Sequence, residues 1–141
     1  MIAQQSQEQR ARLLIIDDEP MVGRMLCRLL GRSYETTFAC GGNDGLQAAM
    51  AQQWDAILCD VMMSDLSGPD ILRRLEWERS VNAAKVGFMT GGAFGSAVRP
   101  FLARCEKGTW LAKPFTLVEV RAFVDMLCAR EPSKWDEPEG T

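Results

Sequence analysis

From residue 12 to residue 130 the chain alternates short apolar runs with longer stretches in which apolar residues recur every three or four positions. Unbroken β-rich runs are the mark of strands covered on both faces, and the three-to-four repeat is that of helices with one buried side. Arg12 to Ile16 carries the first run, Leu-Leu-Ile-Ile, which stops at Asp17, Asp18, Glu19 and Pro20. Pro20 suits the first turn of a helix, whose Met21, Val22, Met25, Leu26, Leu29 and Leu30 predict a buried face, with Gly31 as its stop. A second, more polar strand at Tyr34 to Ala39 belongs nearer an edge. Gly41-Gly42-Asn43 then opens a weakly amphipathic helix reaching about Gln53, with Asn43 as its expected cap.

The third strand, Ala56 to Cys59, is wholly apolar and ends abruptly at Asp60. Gly68-Pro69-Asp70 opens a third helix facing inward through Ile71, Leu72 and Leu75. Ala84 to Met89 predicts a fourth strand, ending at Thr90 and Gly91-Gly92. A fourth helix follows, with Val98, Phe101, Leu102 and Cys105 on one side. Pro100 belongs in its first turn, because an interior proline costs about 3 kcal/mol. Thr109 to Ala112 predicts the fifth strand, running into Lys113-Pro114-Phe115, and Thr116 caps a last helix with Val120, Phe123, Val124 and Leu127 inside. Trp54 and Trp77 are expected as partly buried edge residues. Residues 1–11 read as a flexible arm, 12–130 as one domain, and 131–141 as a disordered acidic tail in which Trp135 has no assignable role.

Strands alternating with helices in this way predict a doubly wound α/β fold, a five-stranded parallel sheet flanked by five helices. Right-handed crossovers bring all the strand ends to one rim, where open α/β sheets hold their ligands.

Composition narrows the chemistry. A formal charge of -3 and a pI near 5.0 argue against a nucleic-acid partner, which requires a concentrated basic patch. Cys27, Cys40, Cys59, Cys105 and Cys128 have no C-x-x-C spacing and mostly fall in apolar stretches, as core thiols of a reduced cytoplasm do. Neither a membrane span nor a secretory leader is visible. Histidine is absent, which removes the commonest general base and most zinc sites and leaves carboxylates, hydroxyls and lysine for any chemistry.

The rim collects Asp17 and Asp18 from the first strand, Asp60 from the third, Thr90 from the fourth and Lys113 from the fifth. Three converging carboxylates repel one another unless a divalent cation joins them, and oxygen-only ligands point to Mg²⁺. A hydroxyl and an ammonium beside them complement the equatorial oxygens of a transferring phosphoryl group, which makes Asp60 the nucleophile.

An acidic pair after a greasy strand, an acid 42 residues beyond Asp18, a threonine 30 residues later and Lys-Pro-Phe 23 residues further on occur here together. In that order and spacing the sequence resembles the receiver domain of two-component response regulators over nearly all of residues 12–130. The resemblance implies a flavodoxin-like fold with strand order 2-1-3-4-5. It implies Asp60 as phosphoacceptor, with Asp17, Asp18, Asp60 and the Met62 backbone carbonyl around Mg²⁺. Thr90 and Lys113 become the phosphoryl-sensing pair, and Thr90 with Trp110 the switch. The implied donor is a sensor histidine kinase or histidine phosphotransfer protein, and the domain phosphorylates and dephosphorylates itself rather than turning over a substrate. The resemblance also implies the face of the fourth helix, fifth strand and fifth helix as a candidate homodimer surface.

Departures are Ser64, where the family commonly has proline, and Trp110, where it has tyrosine or phenylalanine. Phe88 to Phe94 looks most like receivers fused to hybrid sensor histidine kinases. With no effector domain in view, output is expected through contact with another protein. Two rival readings are a receiver-like interaction module that is never phosphorylated and a haloacid-dehalogenase-like phosphatase. The latter carries its nucleophile on the first strand in a D-x-D pattern, which Asp17-Asp18-Glu19 lacks.

Overall fold

The structure, a computed structural model, describes residues 9–91, 100–101 and 109–136. Its strands are β1 (Arg12–Asp17), β2 (Glu35–Cys40), β3 (Ala56–Asp60), β4 (Val86–Thr90) and β5 (Trp110–Ala112). They form one parallel sheet in the order β2-β1-β3-β4-β5, the doubly wound arrangement expected. The helices are α1 (Pro20–Leu30), α2 (Gly42–Ala51), α3 (Gly68–Trp77) and α4 (Leu117–Ala129), and α4 is the last of the five anticipated. Of the expected fourth helix only Pro100 and Phe101 are described, both helical; Val98, Leu102 and Cys105 lie outside the described residues, as do 1–8 and 137–141.

Each strand turns alternate side chains to opposite faces, and the core divides accordingly. Leu14, Ile16, Ile57 and Cys59 pack with Ala49 of α2 and with Ile71 and Leu75 of α3. Leu13, Ile15, Ala56 and Leu58 pack with Leu26 and Leu30 of α1 and with Val120, Val124 and Leu127 of α4. All four β1 residues Leu13 to Ile16 are fully buried, so truncating any one to alanine costs about 2–5 kcal/mol.

The expected buried face of α1 was too wide. Val22, Leu26 and Leu30 form the inner stripe, while Met21, Met25 and Leu29 are 82%, 50% and 43% exposed. The two stripes sit side by side at the same spacing, and only one reaches the sheet. The fourth strand begins two residues later than expected because Val81–Lys85 form a 3₁₀ turn. Lys85, 5% exposed, donates from Nζ to the carbonyls of Leu127 (3.5 Å), Cys128 (3.1 Å) and Arg130, satisfying acceptors that the end of α4 leaves open.

Trp54 is not an edge residue but a core one, 5% exposed, its indole donating to Ala48 O at 3.0 Å. Trp77 is the reverse, 82% exposed. Glu131 to Asp136 have no regular secondary structure, yet they are tethered to the turn before β4: Ser133 N donates to Val81 O (3.0 Å), the Trp135 indole to Ser80 O (3.1 Å) and Arg79 to Asp136 O (3.0 Å).

Candidate functional site at the sheet rim

Strand register brings the candidate side chains level. Ile16 pairs with Cys59, Asp60 with Met89 and Thr90 with Ala112, so Asp17, Asp60, Thr90 and Lys113 stand at successive strand ends. Asp17 is fully buried, while the side chains of Asp60 and Lys113 retain 13% and 26% exposure. Lys113 Nζ lies 3.4 Å from Asp17 Oδ2 and 3.8 Å from Asp60 Oδ1. Asp17 Oδ1 also accepts the Glu19 amide at 2.9 Å, and Asp18 Oδ2 accepts the Ser64 amide at 3.1 Å. Each neighbouring turn thus points an N–H at an acid.

Burial pushes the Asp60 carboxyl up to about 6; Lys113 opposes this, while Asp17 and Asp18 add to it. At neutral pH the group is mostly ionised, yet it is more basic than an exposed aspartate. Behind it, burial raises the Cys59 thiol far from reactivity, in keeping with a core cysteine. Asp17, Asp18 and Asp60 each bring one oxygen to within 4.8 Å of the others. A cluster of hard, anionic oxygens open to solvent on one side fits a small divalent cation that keeps part of its water shell.

Two glycines hold the rim close. A Cβ at Gly68 would stand 2.6 Å from Asp60 O and 3.0 Å from the Phe88 ring, and one at Gly42 would stand 2.2 Å from Leu66 O. The loop from Val61 to Ser67 is therefore pressed between β3 and the start of α2. Asn43 does not cap α2 as anticipated. Gly41, at φ 100°, precedes the helix and offers no side chain, and the first turn is capped from across the loop by Asp65. Its Oδ1 accepts from Gly42 N and its Oδ2 from Asn43 N, each at 2.9 Å, and these bonds hold its carboxyl below the usual carboxylate range. Asp65 was missed in the sequence, where Asn43 offered itself as a local cap and nothing pointed to a residue more than twenty positions away.

Thr90 is buried, and its hydroxyl donates to Leu111 O at 3.4 Å. Trp110 on β5 is 39% exposed, and Met62, two residues beyond Asp60, is 59% exposed. The structure thus brings Asp17, Asp18, Asp60 and Lys113 into one cluster, with Thr90 beside it in register. The side chains of Trp110 and Met62 face outward.

The family model for the response regulator receiver domain matches residues 13–125, and the chain belongs to that family. Among curated relatives it is 35% identical over 126 residues to the transcriptional regulatory protein PcoR of Escherichia coli, covering 87% of this chain and 54% of that protein. It is 29% identical to the transcriptional activator protein PfeR of Pseudomonas aeruginosa, covering 84% of this chain and 38% of PfeR. The chain therefore spans about half the length, or less, of these two relatives. Among solved structures, a putative response regulator from Chloroflexus aurantiacus is 28% identical with TM-score 0.69, covering 86% of this chain and all of the other. The receiver domain of sensor histidine kinase PA1611 from Pseudomonas aeruginosa, solved with a magnesium ion in its active-site cleft, has TM-score 0.71 at 22% identity, covering 86% of this chain and 99% of that one. Among the described residues no helix is long and apolar enough to cross a membrane.

Proposed function

We propose that the domain accepts a phosphoryl group on Asp60 from a phosphohistidine of a partner kinase or phosphotransfer protein, with Mg²⁺ at the rim, and signals by protein contact. The observation that carries this reading is the cluster itself: a partly exposed carboxylate flanked by two acids and by an ammonium 3.8 Å away. An Asp60 oxygen attacks phosphorus, the O–P bond forms as the N–P bond breaks, and the departing imidazole keeps the bond's electron pair and takes up a proton. Asp17, Asp18, Asp60 and the Met62 carbonyl would hold Mg²⁺, which when bound offsets charge on the phosphoryl oxygens. In this reading Lys113 supplies fixed positive charge to the same oxygens, and the Thr90 hydroxyl donates to them once it leaves Leu111.

The geometry disfavours a phosphatase nucleophile on β1. Asp17 is fully buried and already engaged by Lys113 and the Glu19 amide, whereas Asp60 keeps solvent access. Output through a partner protein or a second copy fits the family, and a cytoplasmic setting fits the free thiols of Cys27, Cys40, Cys59 and Cys128. Intact-protein mass spectrometry after acetyl phosphate and Mg²⁺ tests the reading. One added phosphoryl group, lost in Asp60→Asn, is expected; an unmodified wild type would leave the interaction-module reading in its place.

A further inference from the structure

We infer that Asp65 is a positioning residue: by capping α2 it holds the β3–α3 loop, and through the Ser64 amide the Asp18 carboxylate, in the arrangement the rim site uses. This rests on the reading of the rim as a phosphoacceptor site. The loop from Val61 to Ser67 is fixed at its ends by other means. Gly68 N donates to Val61 O at 2.9 Å, and Ser67 and Asp70 exchange the reciprocal bonds of a capping box at 3.2 and 3.3 Å.

Its middle depends on two adjacent residues facing different elements. Ser64 reaches Asp18 at the end of β1, and Asp65 reaches the first turn of α2 with both carboxylate oxygens. Because the two are consecutive, the backbone that carries the Ser64 N–H is located by the side chain of its neighbour. A carboxylate is needed for this, since both oxygens must accept. Gly42 completes the arrangement, because any side chain there would meet the Leu66 carbonyl and lift the loop away.

The test uses the whole chain in four forms: wild type, Asp65→Ala, Asp65→Asn and Gln47→Gly. The last weakens the exposed middle of α2 without touching the loop. In metal-free protein the Ser64 amide-proton shift reports its bond to Asp18. It should move toward the unbonded value in Asp65→Ala, move part-way in Asp65→Asn, where one acceptor oxygen survives, and stay at wild type in Gln47→Gly. Calorimetric titration with Mg²⁺ alone should show affinity reduced about tenfold in Asp65→Ala, as when a group that orients a metal ligand is removed. An unmoved Ser64 resonance in Asp65→Ala, or the same changes produced by Gln47→Gly, would overturn the inference. A wild type that binds no Mg²⁺ would count against the metal-assisted reading of the rim, while the Ser64 resonance would still decide the role of Asp65.

Discussion

Lys113 stands nearer to Asp17, at 3.4 Å, than to the proposed acceptor Asp60, at 3.8 Å. The ammonium offsets the charge of a fully buried carboxylate at least as much as it attends the reacting group. Removing it should therefore cost stability as well as chemistry. Losing one partner of a buried pair typically costs ~3–5 kcal/mol, and with Lys113 one-quarter exposed solvent screening brings this down to about 2–3 kcal/mol. Lys113→Met should lower the melting temperature by several degrees, and adding Asp17→Asn should restore part of it. Additive losses in that double-mutant cycle would show the two groups to be uncoupled.

The raised Asp60 carboxyl fixes the sign of a pH effect. A group whose folded value, about 6, exceeds its unfolded value binds more protons in the native state, so metal-free stability should fall as pH rises from about 4 through 6. Asp60→Asn should flatten that segment of the curve, and saturating Mg²⁺, which binds the ionised carboxylates, should oppose the slope. Urea unfolding across this range checks it; a slope unchanged in Asp60→Asn would assign the effect to another group.

A side chain at Gly68 would meet the backbone of Asp60 itself. A Cβ 2.6 Å from Asp60 O must push either the carbonyl or the start of α3, so Gly68→Ala should destabilise by about 1–3 kcal/mol and slow labelling of Asp60. Chemical denaturation and labelling rate, measured on the same preparation, check both halves.

Trp110 tests the proposed switch. Its indole is 39% exposed, and an indole driven into space suited to a smaller ring overfills it at a cost of about 1–3 kcal/mol. Beryllofluoride with Mg²⁺ should therefore change hydrogen exchange in residues 91–99 more than it shields Trp110 from acrylamide. The fluorescence is read in a Trp77→Phe, Trp135→Phe background, since both of those indoles also meet solvent. Strong shielding of Trp110 with unaltered exchange would show inward rotation of the aromatic instead.

The sheet and most of the site were legible because both depend on local pattern. Ala56 to Cys59 carries no polar residue and is fully buried, and strand ends that finish in Asp17, Asp60, Thr90 and Lys113 converge in any parallel sheet of this order. Long-range contacts were not legible. Nothing near Gly41-Gly42 in the chain reveals that the cap comes from Asp65, and nothing near Lys85 reveals the open carbonyls at the end of α4. The α1 stripes differ only in which one meets Tyr34 and the sheet, which spacing alone does not encode. Trp54 is drawn inside by Asn82, whose side chain receives the Trp54 amide at 2.9 Å and donates to Ala49 O and Gln52 O, each at 2.8 Å; that bridge links segments some thirty residues apart.

The account stands most directly on where the phosphoryl group goes. Borohydride reduces an acyl phosphate but not a free carboxylate, so protein treated with acetyl phosphate and Mg²⁺, then reduced and digested, marks the acceptor as homoserine. The account predicts homoserine at position 60 alone, in an amount that falls sharply when Mg²⁺ is withheld or Lys113 is replaced. Homoserine at position 17, or at no position while the protein remains folded, would contradict it.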